Sequence, residues 1–197
     1  MNTLTLLVGS TRPNRFGPTI AQWIEKIAQE EAASLGGFQV KVVDLEQLNL
    51  PFLDEAKPAG YRDYAHQHTK EWSALVDGSD GFIFVSPEYN HSYGAALKNA
   101  LDYVFYEWNY KPLGLATYGG AAGGSRAAEH LRAIAGELKM FDLREQVMIP
   151  NYWSQLEKDG SFKPTDEQTK SVRALVRELA FWMEHLKTAR AAKNAQG

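Results

Sequence analysis

The chain has 197 residues, is 44% hydrophobic, carries a formal net charge of −3 and contains no cysteine. That length and apolar content suit one domain with a sizeable core. Without cysteine there can be no disulfide, thiolate zinc site, iron–sulfur cluster or cysteine nucleophile, and a small charge with scattered basic residues argues against nucleic acid and membrane surfaces.

The N-terminus runs from Met1-Asn2-Thr3 straight into an apolar segment with no charged and hydrophobic leader, and no eighteen-residue apolar span occurs, so a soluble cytoplasmic protein is expected. Leu4 to Val8 reads as the first strand. The polar loop Gly9 to Thr19 follows, and a helix opens at Pro18 with Ile20, Trp23, Ile24, Ile27 and Ala28 on one stripe. A strand, a glycine-containing loop and a helix N-terminus together make an anion site, because unpaired N–H groups and the positive end of the helix dipole converge there. Ser10, Thr11 and Thr19 add hydroxyls, and Arg12 and Arg15 add forked donors suited to phosphate oxygens. The loop matches neither G-x-x-x-x-G-K-[ST] nor G-x-G-x-x-G.

Phe38 to Leu45 alternates as a second strand. After a loop through Pro51, Pro58 and Gly60, the residues Tyr61, Tyr64, Ala65, His68, Trp72, Leu75 and Val76 recur at helical spacing. His66 and His68 lie two apart, so on a helix they would not face one another, and a metal pair is not expected. Phe82 to Val85 is too continuously apolar for a strand with one wet face and reads as central. Pro87 ends it. The loop Glu88 to Tyr93 is rich in aromatic and hydrogen-bonding groups, and Gly94 opens a helix with Leu97, Ala100, Leu101 and Val104 on one face. Tyr103 to Tyr110 is strongly aromatic and reads as core and subunit contact.

Pro112 to Tyr118 is a fourth strand, followed by the glycine run 119–124 and a helix through Ala127, Ala128, Leu131, Ile134 and Leu138. Met140 to Ile149 supplies a fifth strand. Thr165 and Gln168 suggest a capping box before a long last helix, with a fraying tail over residues 189–197 behind a domain of residues 1–188. Strands alternating with helices in this way predict an α/β doubly wound five-stranded parallel sheet of order 2-1-3-4-5, in which the loops after the first and third strands flank the switch point and the glycine loop after the fourth lies beside them.

At these loops the sequence resembles the NADPH-dependent FMN reductase family, a flavodoxin-like group that includes quinone, azo-dye and chromate reductases. The resemblance rests on Gly9-Ser10-Thr11-Arg12, on Pro87-Glu88-Tyr89-Asn90 running into Gly94 and Leu97-Lys98-Asn99-Ala100-Leu101-Asp102, and on Tyr118-Gly119-Gly120 with Gly123-Gly124. It implies that Ser10, Arg12, Arg15, Gly17 and Thr19 hold the FMN phosphate. Pro87, Glu88, Tyr89 and Asn90 would border the isoalloxazine, and Tyr118, Gly119, Gly120 and Gly123 would close its other side. Backbone N–H groups of Glu88 to Asn90 are expected to face the N1 and O2 edge of the ring. The implied activity is an NAD(P)H oxidoreductase in which NADPH or NADH gives a hydride to FMN, which passes reducing equivalents to a quinone, free flavin, azo compound or metal oxyanion. Flavin N5 carries the chemistry, so no catalytic side chain is required. With no second nucleotide fingerprint, donor and acceptor would alternate at one ring face in a ping-pong cycle. A homodimer or dimer of dimers is expected, using Tyr103 to Tyr110 and small positions such as Ala95.

Three other readings compete. A non-enzymatic FMN electron carrier or a redox sensor would share fold and cofactor, although carriers tend to be strongly acidic. A serine hydrolase would place its nucleophile at Ser125, but Gly123-Gly124-Ser125-Arg126-Ala127 lacks the closing glycine of the elbow.

Overall fold

The structure, a computed structural model, describes residues 1–194. Its parallel strands are β1 (Thr3–Val8), β2 (Gln39–Asp44), β3 (Gly81–Pro87), β4 (Pro112–Gly119) and β5 (Phe141–Pro150), paired in the order β2-β1-β3-β4-β5. β1, β3 and β4 are buried along their whole length, which explains why Phe82 to Val85 reads as an unbroken apolar run. β2 and β5 lie at the edges and are partly exposed.

Helices cover both faces. Leu4, Leu6, Val8, Ile83 and Val85 pack against α1 (Gly17–Ser34) and α6 (Asp166–Asn194). Leu7, Phe82, Phe84, Leu113 and Leu115 face the other way, toward α3 (Gln67–Asp77), α4 (Ala95–Asp102) and α5 (Ser125–Glu137). Successive strand residues therefore feed opposite cores, as the period of two requires. A short helix α2 (Leu45–Leu48) follows β2, with the Asp44 side chain accepting the Glu46 N–H at its start. The capping box forms as expected: Gln168 N–H donates to Thr165 Oγ1 at 3.1 Å and Thr165 N–H to Gln168 Oε1 at 2.8 Å.

Several boundaries differ from the sequence reading, each for a physical reason. The helical spacing that starts at Tyr61 is realised only from Gln67 onward. The Glu55 carboxylate accepts the N–H groups of Ala65 and His66 at 2.9 and 3.0 Å, which holds this stretch outside the helix. Because His66 is the extended residue before the helix, its ring stacks on that of His68 at 5.2 Å instead of pointing away. Both imidazoles contact Asp54, and among the described residues no group of three or more potential ligands is arranged to hold a metal ion.

The final helix does not stop at residue 188. It runs to Asn194, anchored where Arg190 donates to the Tyr110 carbonyl at 3.0 Å and to Asp80 at 2.6 Å; residues 195–197 of the expected tail lie outside the described residues. Most of the Tyr103 to Tyr110 segment belongs to the chain's own core. Tyr103 and Trp108 have no exposed surface, and the Trp108 indole N–H donates to the Leu101 carbonyl at 3.2 Å. Of this segment Tyr106 reaches solvent, at 43% exposure. Among the described residues no helix is long and apolar enough to cross a membrane.

Candidate functional site

Parallel pairing brings the carboxyl ends of β1, β3 and β4 to one rim. Val8 stands beside Val85 and Pro87 beside Tyr118. The loops that leave these ends, joined by the one after β5, enclose a cleft of about 180 Å³ lined by Arg12, Arg15, Phe16, Pro87, Glu88, Tyr89, Tyr118, Gly119, Gly120, Tyr152 and Trp153. Eight of the residues expected at a flavin from the resemblance line it: Arg12, Arg15, Pro87, Glu88, Tyr89, Tyr118, Gly119 and Gly120.

Ser10 and Gly17 lie directly beneath. The Tyr118 hydroxyl donates to Ser10 Oγ at 3.2 Å, and a Cβ on Gly17 would fall 2.6 Å from that same oxygen and 3.1 Å from the Tyr118 hydroxyl. Burial pushes the Tyr118 phenol far above its usual range, against a smaller opposing effect of the Ser10 hydrogen bond, so it stays a neutral donor. Thr19 sits in the first turn of α1 with its N–H bonded to the Phe16 carbonyl at 3.1 Å, off the cleft wall. Asn90, at φ 49°, caps the turn, where Tyr89 and Ser92 exchange backbone hydrogen bonds of 2.7 and 3.0 Å. Gly123, at φ 59°, is in the turn behind Gly120 and takes no part in the lining.

Arg12 and Arg15, equivalent in the sequence, are not equivalent in space. Arg15 is paired with Asp44, whose position at the end of β2 beside Val8 puts it against the loop, and it also reaches Glu46 at 3.4 Å. Its buried Nε–H remains without a partner. Arg12 is exposed, has no carboxylate within ion-pair distance among the described residues, and holds its guanidinium 5.8 Å from the Tyr89 ring centroid. α1 begins here with no side-chain cap. A free guanidinium, an orphaned N–H and an uncapped helix start form a donor set that suits a phosphate.

The ring end departs from the expectation in its hydrogen bonds. Glu88 N–H continues the sheet to the Tyr118 carbonyl at 2.9 Å and Tyr89 N–H closes the turn to Ser92, so both are already committed inside the protein. Of the three N–H groups expected to face the ring edge, only that of Asn90 has no backbone partner among the described residues. A flat ring finds space instead at Gly120, where an added Cβ would meet nothing nearer than Trp153 Cη2 at 3.8 Å.

Phe16, Tyr152 and Trp153 are the lining residues that sequence reasoning missed. Phe16 stacks on Tyr152 at 5.0 Å, and Tyr118 meets Tyr152 edge-on at 5.4 Å. Their signal was available: Tyr152-Trp153 follows the fifth strand at the same rim of the sheet. A hollow of about 540 Å³ also opens on the far side of Thr11, between α2 and the start of α4. Although larger, its one charged wall residue among the described residues is the carboxylate Glu46, no arginine or lysine lines it, and its Asn99 amide is occupied by Pro51 and Leu53, so its charge disfavours a phosphate.

A five-stranded parallel sheet of this order, with a donor-lined loop and a glycine-bordered cleft at its switch point, defines a flavodoxin-like protein. Comparison with known proteins narrows this. The chain belongs to the NADPH-dependent FMN reductase family, whose pattern it matches over residues 1–154. It is similar to an NAD(P)H-dependent FMN reductase of Schizosaccharomyces pombe, with 42% identity over 139 residues that make up 70% of this chain and 67% of the relative. An NAD(P)H:quinone oxidoreductase of Solanum tuberosum is 30% identical over 170 residues, or 83% of each chain. In fold it resembles an oxidoreductase from Corynebacterium diphtheriae, with a TM-score of 0.74 at 18% identity, covering 94% of this chain and 98% of that one.

Proposed function

We propose that the protein is an FMN-dependent NAD(P)H oxidoreductase that passes reducing equivalents to a small acceptor of the quinone, flavin or azo class. The observation that carries the reading is the meeting, in one cleft, of the uncommitted Arg12, the orphaned Arg15 Nε–H and the bare backbone at Gly119 and Gly120. Bound FMN supplies the hydride-accepting ring. Arg12 and Arg15 Nε–H hold the phosphate, with α1 directing its positive end toward it. Ser10 is fixed by Tyr118 so that the floor stays rigid, and Phe16, Tyr118 and Tyr152 wall off water on one side. Gly17 keeps the floor open, since any side chain there would displace Ser10.

A cleft of about 180 Å³ is smaller than the roughly 300–1,000 Å³ of pockets that enclose a ligand, so a ring bound here would stay partly exposed to visitors. That openness supports alternation of NAD(P)H and acceptor on the same face. The purified protein with FMN should show a flavin spectrum that bleaches on anaerobic addition of NADPH without any partner protein, and double-reciprocal plots at several acceptor concentrations should be parallel. No bleaching without a partner would indicate an electron carrier; intersecting lines would reject the shared face.

The reading includes a homodimer or dimer of dimers in the cytoplasm, where nicotinamide reductants are available. Exposed apolar groups at Phe52 (85% exposed) and Leu53 (47%), next to the small residues Ala95 and Ala96 of α4, support a contact on that side. Light scattering should return twice or four times the chain mass, and the mass of a single chain would refute association.

A further inference from the structure

Glu88 is the one carboxylate among the lining residues of the cleft. Its side chain is 9% exposed, and both oxygens turn toward α5: Oε1 accepts Arg126 Nη1 at 2.5 Å and Oε2 accepts the Arg126 backbone N–H at 3.1 Å. α5 starts behind Gly124 without a side-chain cap from its own sequence, so Glu88 caps it from the neighbouring loop. Burial acts to raise the Glu88 pKa, but the hydrogen bonds and charge of Arg126 outweigh it and hold the carboxyl below its usual range. Glu88 is therefore ionised at neutral pH.

A carboxylate is an awkward neighbour for a ring that gains electrons. Hydride transfer from the nicotinamide would bring a bound flavin two electrons and one proton and release NAD(P)⁺, and a flavin whose N1 stayed unprotonated would carry one additional negative charge. An uncompensated Glu88 in the same cleft would oppose that charge, because opposite-signed partners are what allow like charges to share a low-dielectric site. We propose that Arg126, together with the N-terminus of α5, is the counter-charge for Glu88 and thereby a positioning residue that sets the reduction potential of the bound flavin. Arg126 is outside the cleft lining and acts through Glu88. A second tie, between Ser92 Oγ and His130 Nδ1 at 2.9 Å, holds the same loop to α5 independently, so removing the guanidinium leaves the loop attached.

This inference rests on the FMN reading, and the experiment separates the two. The FMN-loaded protein and its R126A, R126K and R126A/E88Q variants are compared by the two-electron midpoint potential, equilibrated against a reference dye, and by the dissociation constant of oxidised FMN. R126A should weaken the reduced flavin about tenfold more than the oxidised one, a fall of about 30 mV for a two-electron couple. R126K should stay near the parent. R126A/E88Q should return most of the way, because the unpaired charge has gone. An R126A potential equal to the parent, or a double variant as low as the single, would overturn the proposal; the latter means that the pair only tethers the loops. A parent protein that takes up no FMN would remove the FMN reading and this inference with it.

Discussion

Arg12→Ala is expected to weaken FMN binding by between about tenfold and a hundredfold, the loss of a charge-assisted hydrogen bond worth roughly 1.5–3 kcal/mol. The basis is that Arg12 is the uncommitted cation on the cleft wall, with no carboxylate in reach among the described residues. Arg15→Ala should behave differently. Its guanidinium already serves Asp44, whose side chain is only 10% exposed, so the change should cost less in FMN affinity and more in stability. Quenching of FMN fluorescence on titration gives both constants, and thermal unfolding of the apoproteins gives the second effect. Equal losses of affinity in the two variants would show that the two arginines carry the phosphate equally, as the bare sequence suggests.

Gly124→Ala should lower stability by about 2–4 kcal/mol, adding a left-handed backbone penalty to overpacking. Gly124 has φ 86°, and a Cβ there would lie 2.5 Å from Thr117 Cβ and 2.9 Å from the Tyr118 backbone nitrogen. Neither neighbour can yield: Thr117 is fully buried, donates to the Gly123 carbonyl at 3.0 Å and accepts from Gln146 at 3.1 Å. In a chain of this size the shift should appear as a fall of about 5–15 °C in the melting temperature. Gly136→Ala is the matching control. It lies within α5, where an added Cβ would meet nothing within 4 Å, so it should stabilise by roughly 0.5–1 kcal/mol. A Gly124→Ala melting curve that overlays the parent would contradict the close approach of the turn to β4.

The parts of the molecule legible in the sequence are those in which a residue's environment is fixed by its near neighbours. Leu4 to Val8 and Phe82 to Val85 are buried on both faces, so the first is legible as an apolar strand and the unbroken run of the second announces a central one. The stripe of Leu97, Ala100 and Leu101 announces α4 in the same way, and Thr165 with Gln168 announces the start of α6. Tyr64 and Ala65 show where such patterns mislead, because helical spacing continued through them while a carboxylate ten residues upstream, Glu55, held the N–H groups of Ala65 and His66 outside the helix. The aromatic segment around Trp108 likewise carries no mark of whether it faces its own core or a partner.

Periodicity and turn residues announce an α/β alternation and the loops that meet at one rim, and right-handed crossovers leave few windings of the sheet. How those loops divide the work follows from the folded arrangement: Asp44 neutralises Arg15 and leaves Arg12 free, Arg126 neutralises Glu88, and Tyr152 with Trp153 closes a wall beside Phe16. Strand and helix follow from periodicity, which neighbouring residues impose on one another. Which charges cancel depends instead on which strand ends stand side by side, as Val8 and Asp44 do, and that adjacency exists only once the sheet has formed.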